Sequence, residues 1–211
     1  MGVKSFKVYL FDFDGTLVDT YESLYRVFAV SYEAVGVTIN REDVANLMRC
    51  PLYVGYQKHH GPEDEESKKL FGDKIIELLD DPEVLKLSKT YDEVKEVLFE
   101  LKKQNKTLGI VTSNNSKHVR DVLKYINLDE KLFSVIVGNQ ESPRHKPFPD
   151  PVLTAVEKLG VNKEKVCYVG DGLDDIRCAK AAGVTPILVD RYNEYEKRDI
   201  ELITNLKPLI D

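Results

Sequence analysis

Residues 7–19 read KVYLFDFDGTLVD. Val8 to Phe11 form a short, unbroken apolar run, which predicts a buried β-strand that stops abruptly at Asp12, with Asp14 two residues further on. A carboxylate at the mouth of a buried strand is costly unless a cation or hydrogen-bond donors compensate it. One Asp in such a place is an ordinary polar loop. The ordered Asp-x-Asp-Gly-Thr points instead to a metal site, with Gly15 and Thr16 supplying a tight turn and a hydroxyl.

Beyond Asp19 the pattern changes to helical spacing up to about Asp80. Leu24, Val27, Phe28, Ser31, Tyr32 and Val35 recur at steps of three and four, with Gly36 as a stop. Asn40 is placed to cap a second helix carrying Val44, Leu47 and Met48, which Pro51 closes. Pro62, followed by Glu63, Asp64, Glu65 and Glu66, reads as the start of a third helix running toward Leu79.

From Ser88 helices alternate with short strands. The strands are expected at Thr107–Val111, Ser134–Val137, Lys165–Val169 and Thr185–Val189, with helices around Val94, Val119, Pro151 and Ile176 between or before them. Apolar strands without polar alternation are the pattern of a parallel sheet covered on both faces. With the opening strand they make five, and the expected fold is α/β: a Rossmann-like, doubly wound parallel sheet. The helical block interrupts that sheet after its first strand. The expected domains are therefore a core of residues 1–19 and 87–211 and an inserted helical cap of residues 20–86, a lid over the carboxyl end of the first strand.

The 211 residues, 42% of them hydrophobic, suffice for one good core and a smaller second domain. The net charge of −6 arises from interspersed acids and bases. No basic face is offered to a nucleic-acid backbone or an anionic membrane, and neither partner is expected. The first apolar run is too short for a signal peptide or a spanning helix. Cys50, Cys167 and Cys178 are odd in number and form no C-x-x-C pair, which argues against a disulfide framework and a structural zinc. A cytoplasmic protein, monomer or homodimer, is the expectation.

Ligands of open parallel sheets bind beyond the carboxyl ends of the strands, near the point where strand order reverses. The polar residues at those ends are Asp12 and Asp14, then Thr112 and Ser113, then Asp171 and Asp175, with Lys146 in the segment HKPFPDP. Such a rim holds several carboxylates, two hydroxyls and an ammonium. Carboxylates suit Mg2+, which commonly shares its octahedron with a phosphate oxygen, and hydroxyls with a lysine suit the other phosphoryl oxygens. The division of labour that follows has the metal and Lys146 neutralising charge while Asp12 attacks phosphorus to form an aspartyl-phosphate. Asp14 would then protonate the leaving oxygen and deprotonate water.

Four segments, DFDGTLVD at 12–19 with the preceding Phe11 at the strand end, IVTSN at 110–114, KPFPDP at 146–151 and VGDGLDD at 169–175, occur in the order found in the haloacid dehalogenase superfamily. The chain resembles that family's phosphatase branch with a helical cap, phosphoglycolate phosphatase-like or β-phosphoglucomutase-like. The resemblance implies Asp12 as nucleophile and metal ligand, Asp14 as general acid/base and backbone metal ligand, and Asp171 as metal ligand. It implies Thr112 and Lys146 as phosphate holders and Asp175 as a ligand or the holder of a metal-bound water. Ser113 either contacts the phosphate or caps the helix that begins near Ser116. Arg49 and Lys58 in the cap are candidates for contacts to the substrate anion. The activity implied is Mg2+-dependent hydrolysis of a small phosphorylated metabolite. The alternatives are a sugar phosphomutase on the same fold or, in another class, a phosphoacceptor or binding-only domain.

Overall fold

The computed structural model describes residues 3–47, 56, 63–195 and 200–211. The chain divides into two compact units, one made of the residues up to Asp19 together with Thr90–Asp211, the other of Thr20–Lys89. Residues 87–89, expected with the core, group with the second unit.

The first unit is built on a six-stranded parallel sheet. Its strands are β1 (Val8–Phe11), β4 (Thr107–Val111), β5 (Val135–Val137), β6 (Val166–Gly170), β7 (Thr185–Val189) and β8 (Glu201–Ile203), in the spatial order β5-β4-β1-β6-β7-β8. The two remaining strands, β2 (Val18–Asp19) and β3 (Lys89–Thr90), form a separate two-stranded pair where the chain leaves this unit and returns. Strand order proceeds from β1 through β4 to β5 and then restarts on the other side with β6. The switch point therefore lies between β1 and β6, above Asp12 and Asp171.

All four residues of β1 are buried, as a central strand covered on both faces requires. Val8 and Leu10 face a core that includes Val111, Val137, Val152, Val156, Tyr168 and Ala179. That core is closed by α7 (Asp150–Leu159) and α8 (Leu173–Ala182), whose buried residues recur at helical spacing. Tyr9 and Phe11 point to the opposite face, where their rings stack 6.3 Å apart and Phe6 meets Tyr9 edge-on. The C-caps Gly160 and Gly183 adopt left-handed φ of 62° and 77°, the conformation that ends α7 and α8 at little steric cost. The sixth strand was not expected. Glu201–Ile203 is three residues long and runs from exposed through half-buried to buried at the sheet edge, too brief a pattern to separate from loop.

The second unit is helical: α1 (Tyr21–Glu33), α2 (Arg41–Leu47), α3 (Glu65–Leu79) and the single turn α4 (Pro82–Leu85). Val27, Phe28, Tyr32, Val44, Phe71 and Ile75 are among its core residues, with Tyr32, Tyr56 and Phe71 forming an aromatic trio at centroid separations of 6.0, 4.7 and 4.6 Å. Asn40 caps α2 as expected, accepting from the Asp43 amide at 2.9 Å while the Asp43 carboxylate accepts from the Asn40 amide. The third helix starts later than the proline suggested: Asp64 is the cap, its carboxylate accepting from Ser67 N at 2.7 Å. A side-chain acceptor for an orphan amide outweighs the mere compatibility of proline with a first turn.

Among the described residues no helix is long and apolar enough to cross a membrane. Leu10 is fully buried in the centre of the sheet. Leu10→Ala is expected to lower the unfolding free energy of the sheet-bearing unit by about 2–5 kcal/mol, read from urea denaturation monitored by far-UV circular dichroism. An unchanged midpoint would show that β1 is not the centre of the core.

Candidate active site

The functional side chains come from the ends of strands, the loops beside them and the first turn of α8. Asp12 directly follows β1 and is only 7% exposed; its amide donates to Val169 O at 2.8 Å, continuing the β1–β6 ladder one residue past the strand. Asp171 follows β6, and Asp175 lies in the first turn of α8. Oxygens of Asp12, Asp171 and Asp175 all lie within 4.8 Å of one another. Lys146 reaches this cluster from the loop before α7 and donates to Asp12 Oδ1 at 2.9 Å and to Asp175 Oδ1 at 2.7 Å.

Two glycines make the approach possible. Gly15 adopts φ 74°, and a Cβ there would lie 2.3 Å from Asp171 Oδ2. At Gly170 a Cβ would lie 2.4 Å from the Asp175 carboxyl carbon. Any side chain at either position would push a carboxylate out of the cluster.

Burial and like charge set the electrostatics. Asp12 is pushed well above the usual carboxylate range by burial; Lys146 pulls it down, and the charges of Asp175, Asp171 and Asp14 push it up again. Asp171 is raised to about 7, first by burial and then by Asp175, against a hydrogen bond from Thr16 and the charge of Lys146. Burial works against the ammonium of Lys146, but the charges of Asp12 and Asp175 reverse that and raise its pKa. One ammonium is thus set against a crowd of carboxylates, and a divalent cation is the group that would let them ionise together. The donor set fits: Lys146 uses one oxygen of Asp12 and Thr16 one oxygen of Asp171, and the second oxygen of each would be a hard donor for a divalent cation.

Asp14 stands apart from that cluster. Its Oδ2 accepts from the Asn114 side-chain amide at 2.6 Å, and its Oδ1 is buried with no hydrogen-bond partner. A carboxylate aimed by one donor and orphaned at its other oxygen is suited to exchanging a proton with a reactant. Thr112 is buried, its hydroxyl accepting from the Asn114 backbone N–H at 3.1 Å, which leaves the hydroxyl proton to donate. Ser113 is exposed. Nor does it cap the next helix, α6 (Ser116–Tyr125): Asn115 does, accepting from His118 N at 2.7 Å. Asp175 is heavily engaged, its Oδ1 near Lys146 and the Tyr168 hydroxyl and its Oδ2 accepting from Gly172 N. Arg49 and Lys58 lie outside the described residues.

Three participants were given no partner in the sequence reading, although the Thr16 hydroxyl was noted there. Thr16, fully buried, donates its hydroxyl to Asp171 Oδ1 at 3.0 Å. The Tyr168 hydroxyl sits 2.9 Å from Val111 O and 3.0 Å from Asp175 Oδ1, and its single proton serves one acceptor at a time. In sequence Tyr168 looks like one more core residue of an apolar strand. The third is Asn114, and only its place in the run Thr-Ser-Asn-Asn after a strand hinted at more than a loop.

Carboxylates and a lysine gathered at the switch point of a parallel sheet, on an α/β unit interrupted after its first strand by a helical one, define a phosphoryl-handling hydrolase. The sequence model of haloacid dehalogenase-like hydrolases matches residues 9–189, and the chain belongs to that family, in its phosphatase branch. Two similar relatives are a Caldanaerobacter subterraneus protein named as a pyrophosphatase, 34% identical over 94% of this chain and 86% of its own length, and a Photorhabdus laumondii phosphoglycolate phosphatase. The latter is 30% identical over 99% of this chain and 92% of its own. Among solved structures, a Bacteroides fragilis protein described as a haloacid dehalogenase-like hydrolase superposes with a TM-score of 0.85 at 25% identity, covering 98% of this chain and all of that one.

Removing the ammonium should expose the repulsion it offsets. Lys146→Met is expected to destabilise the metal-free protein by about 3–5 kcal/mol in urea denaturation, because two buried carboxylates lose their counter-charge. Added Mg2+ should recover part of the loss by binding only the folded state. A midpoint unmoved by the substitution would mean that Lys146 does not compensate this cluster.

Proposed function

We propose that this enzyme is a Mg2+-dependent phosphomonoester hydrolase of small phosphorylated metabolites, working through an aspartyl-phosphate on Asp12. The observation that carries the reading is the Asp12–Lys146–Asp175 bridge with Asp171 alongside and Asp14 held separately by Asn114. It provides a nucleophile, charge compensation for a phosphoryl dianion, and a separate proton carrier.

In this reading an Asp12 oxygen attacks phosphorus as the ester P–O bond breaks, and Asp14 gives its proton to the departing alkoxide. Asp14 then takes a proton from water, whose oxygen attacks the phosphorus of the acyl phosphate and frees Asp12 and inorganic phosphate. Lys146 and the Thr112 hydroxyl hold phosphoryl oxygens while charge redistributes. Asp12, the Asp14 carbonyl and Asp171 would hold the metal, which when bound supplies positive charge to the transferring group. Asp175 orients Lys146 and the loop that carries Asp171. The helical unit is assigned the role of a lid that selects the ester. Two buried free thiols, Cys167 and Cys178, suit a reducing cytoplasm, and a monomer or homodimer is sufficient for this chemistry.

The test is release of phosphate from an aryl phosphate with and without Mg2+. Hydrolysis should depend on the metal, and Asp12→Asn should reduce turnover by about 10³-fold or more, as loss of an attacking group does. Metal-independent release, or full activity in the Asn variant, would overturn the mechanism. Supplying a sugar phosphate with its bisphosphate primer and detecting isomerised sugar phosphate in place of free phosphate would assign the protein to the mutases.

A further inference from the structure

Arg191 follows β7 and its side chain is only 7% exposed, an expensive place for a guanidinium. Its donors are distributed over three partners: Nε to Gly15 O at 3.2 Å, Nη2 to Thr16 O at 2.7 Å and Nη1 to Glu93 Oε1 at 2.8 Å. Its carbon centre lies 3.6 Å from the centroid of the Tyr91 ring, a cation–π seat. The same Glu93 oxygen accepts from Leu206 N at 3.1 Å. The loop that presents the arginine is itself fixed. Asp190 is buried, its amide donates to Ile203 O at 2.8 Å, and its carboxylate accepts from the amides of Glu194 and Tyr195.

The two carbonyls that Arg191 grips belong to the turn that follows Asp14. On its other side that turn touches Asp171, through the Thr16 hydroxyl and through the bare α-carbon of Gly15. The turn is thus held between a guanidinium and a carboxylate of the cluster. A planar fork can span two consecutive carbonyls and lie on a ring at once; an ammonium cannot. The local geometry of this network is stricter than charge neutralisation of Glu93 demands.

We propose that Arg191 is a positioning residue for phosphoryl transfer: by clamping the Gly15 and Thr16 carbonyls it fixes the register of Asp14 and the Thr16–Asp171 hydrogen bond. The inference rests on the hydrolase reading above but concerns a residue outside the four family segments. Tyr91 and Glu93 complete the device as the seat and the counter-charge of the guanidinium.

The test uses Arg191→Lys, which keeps the charge opposite Glu93 but loses the fork, with Arg191→Ala as a cavity variant. Small misplacements of catalytic groups are costly, so kcat of Arg191→Lys for an aryl phosphate should fall roughly 10- to 100-fold with KM little changed. Its thermal unfolding should stay close to that of the parent protein. Ethylguanidinium added to the Arg191→Ala variant should restore part of the lost turnover, which a general loss of folding would not allow. Calorimetric titration with Mg2+ alone should show affinity weakened about 10-fold in Arg191→Lys, the low end of the effect of removing outer support from a metal ligand. Parent-like kcat and Mg2+ affinity in a folded Arg191→Lys protein would overturn the proposal, as would a loss that tracks the unfolded fraction and resists rescue. A parent protein without Mg2+-dependent hydrolysis would sink the hydrolase reading instead, while the Mg2+ affinities would still decide the role of Arg191.

Discussion

The ammonium of Lys146, shared between Asp12 and Asp175, is the interaction on which this site depends. Acids from three separate positions converge within 4.8 Å of one another in a buried rim, and left alone they would repel or protonate. A single lysine, delivered from the loop before α7, makes the convergence tolerable. The repulsion that remains is what a divalent cation would relieve.

The backbone around the cluster answers to the same constraint. Gly15 and Gly170 lie where any side chain would intrude on a carboxylate, and Thr16 and Tyr168 bring hydroxyls to Asp171 and Asp175. The sheet explains why these groups meet at all. β1 and β6 are adjacent and parallel, so the residues that follow them emerge side by side at the switch point although they are far apart along the chain.

Much of this was legible in the sequence because it rests on local signals. Unbroken apolar runs marked the central strands, and polar residues just beyond them marked Asp12, Asp14, Thr112 and Asp171. What escaped was governed by tertiary partners. Tyr168 reads as core because its side chain is core up to its hydroxyl, and Arg191 reads as a surface cation because nothing near it in sequence announces Glu93, Tyr91 or the Gly15–Thr16 carbonyls. Asn115 took the capping role that Ser113 could equally have filled, a choice set by the path of the loop. The edge strand β8 lacked enough residues to form a pattern, and the start of α3 turned on Asp64, one acid among four consecutive ones.

The position of β1 has a consequence for biosynthesis. Among the strands of this sheet it is made first, and it lies in the interior of the finished sheet, with β4 on one side and β6 on the other. The entire helical unit is translated before β4, and β6 follows later still. On the ribosome the helical unit is thus complete in sequence while the apolar VYLF strand still waits for both neighbours. Asp12 at its tip meets Lys146 only after more than a hundred further residues have been added, so a nascent chain shorter than that holds this carboxylate without its counter-charge.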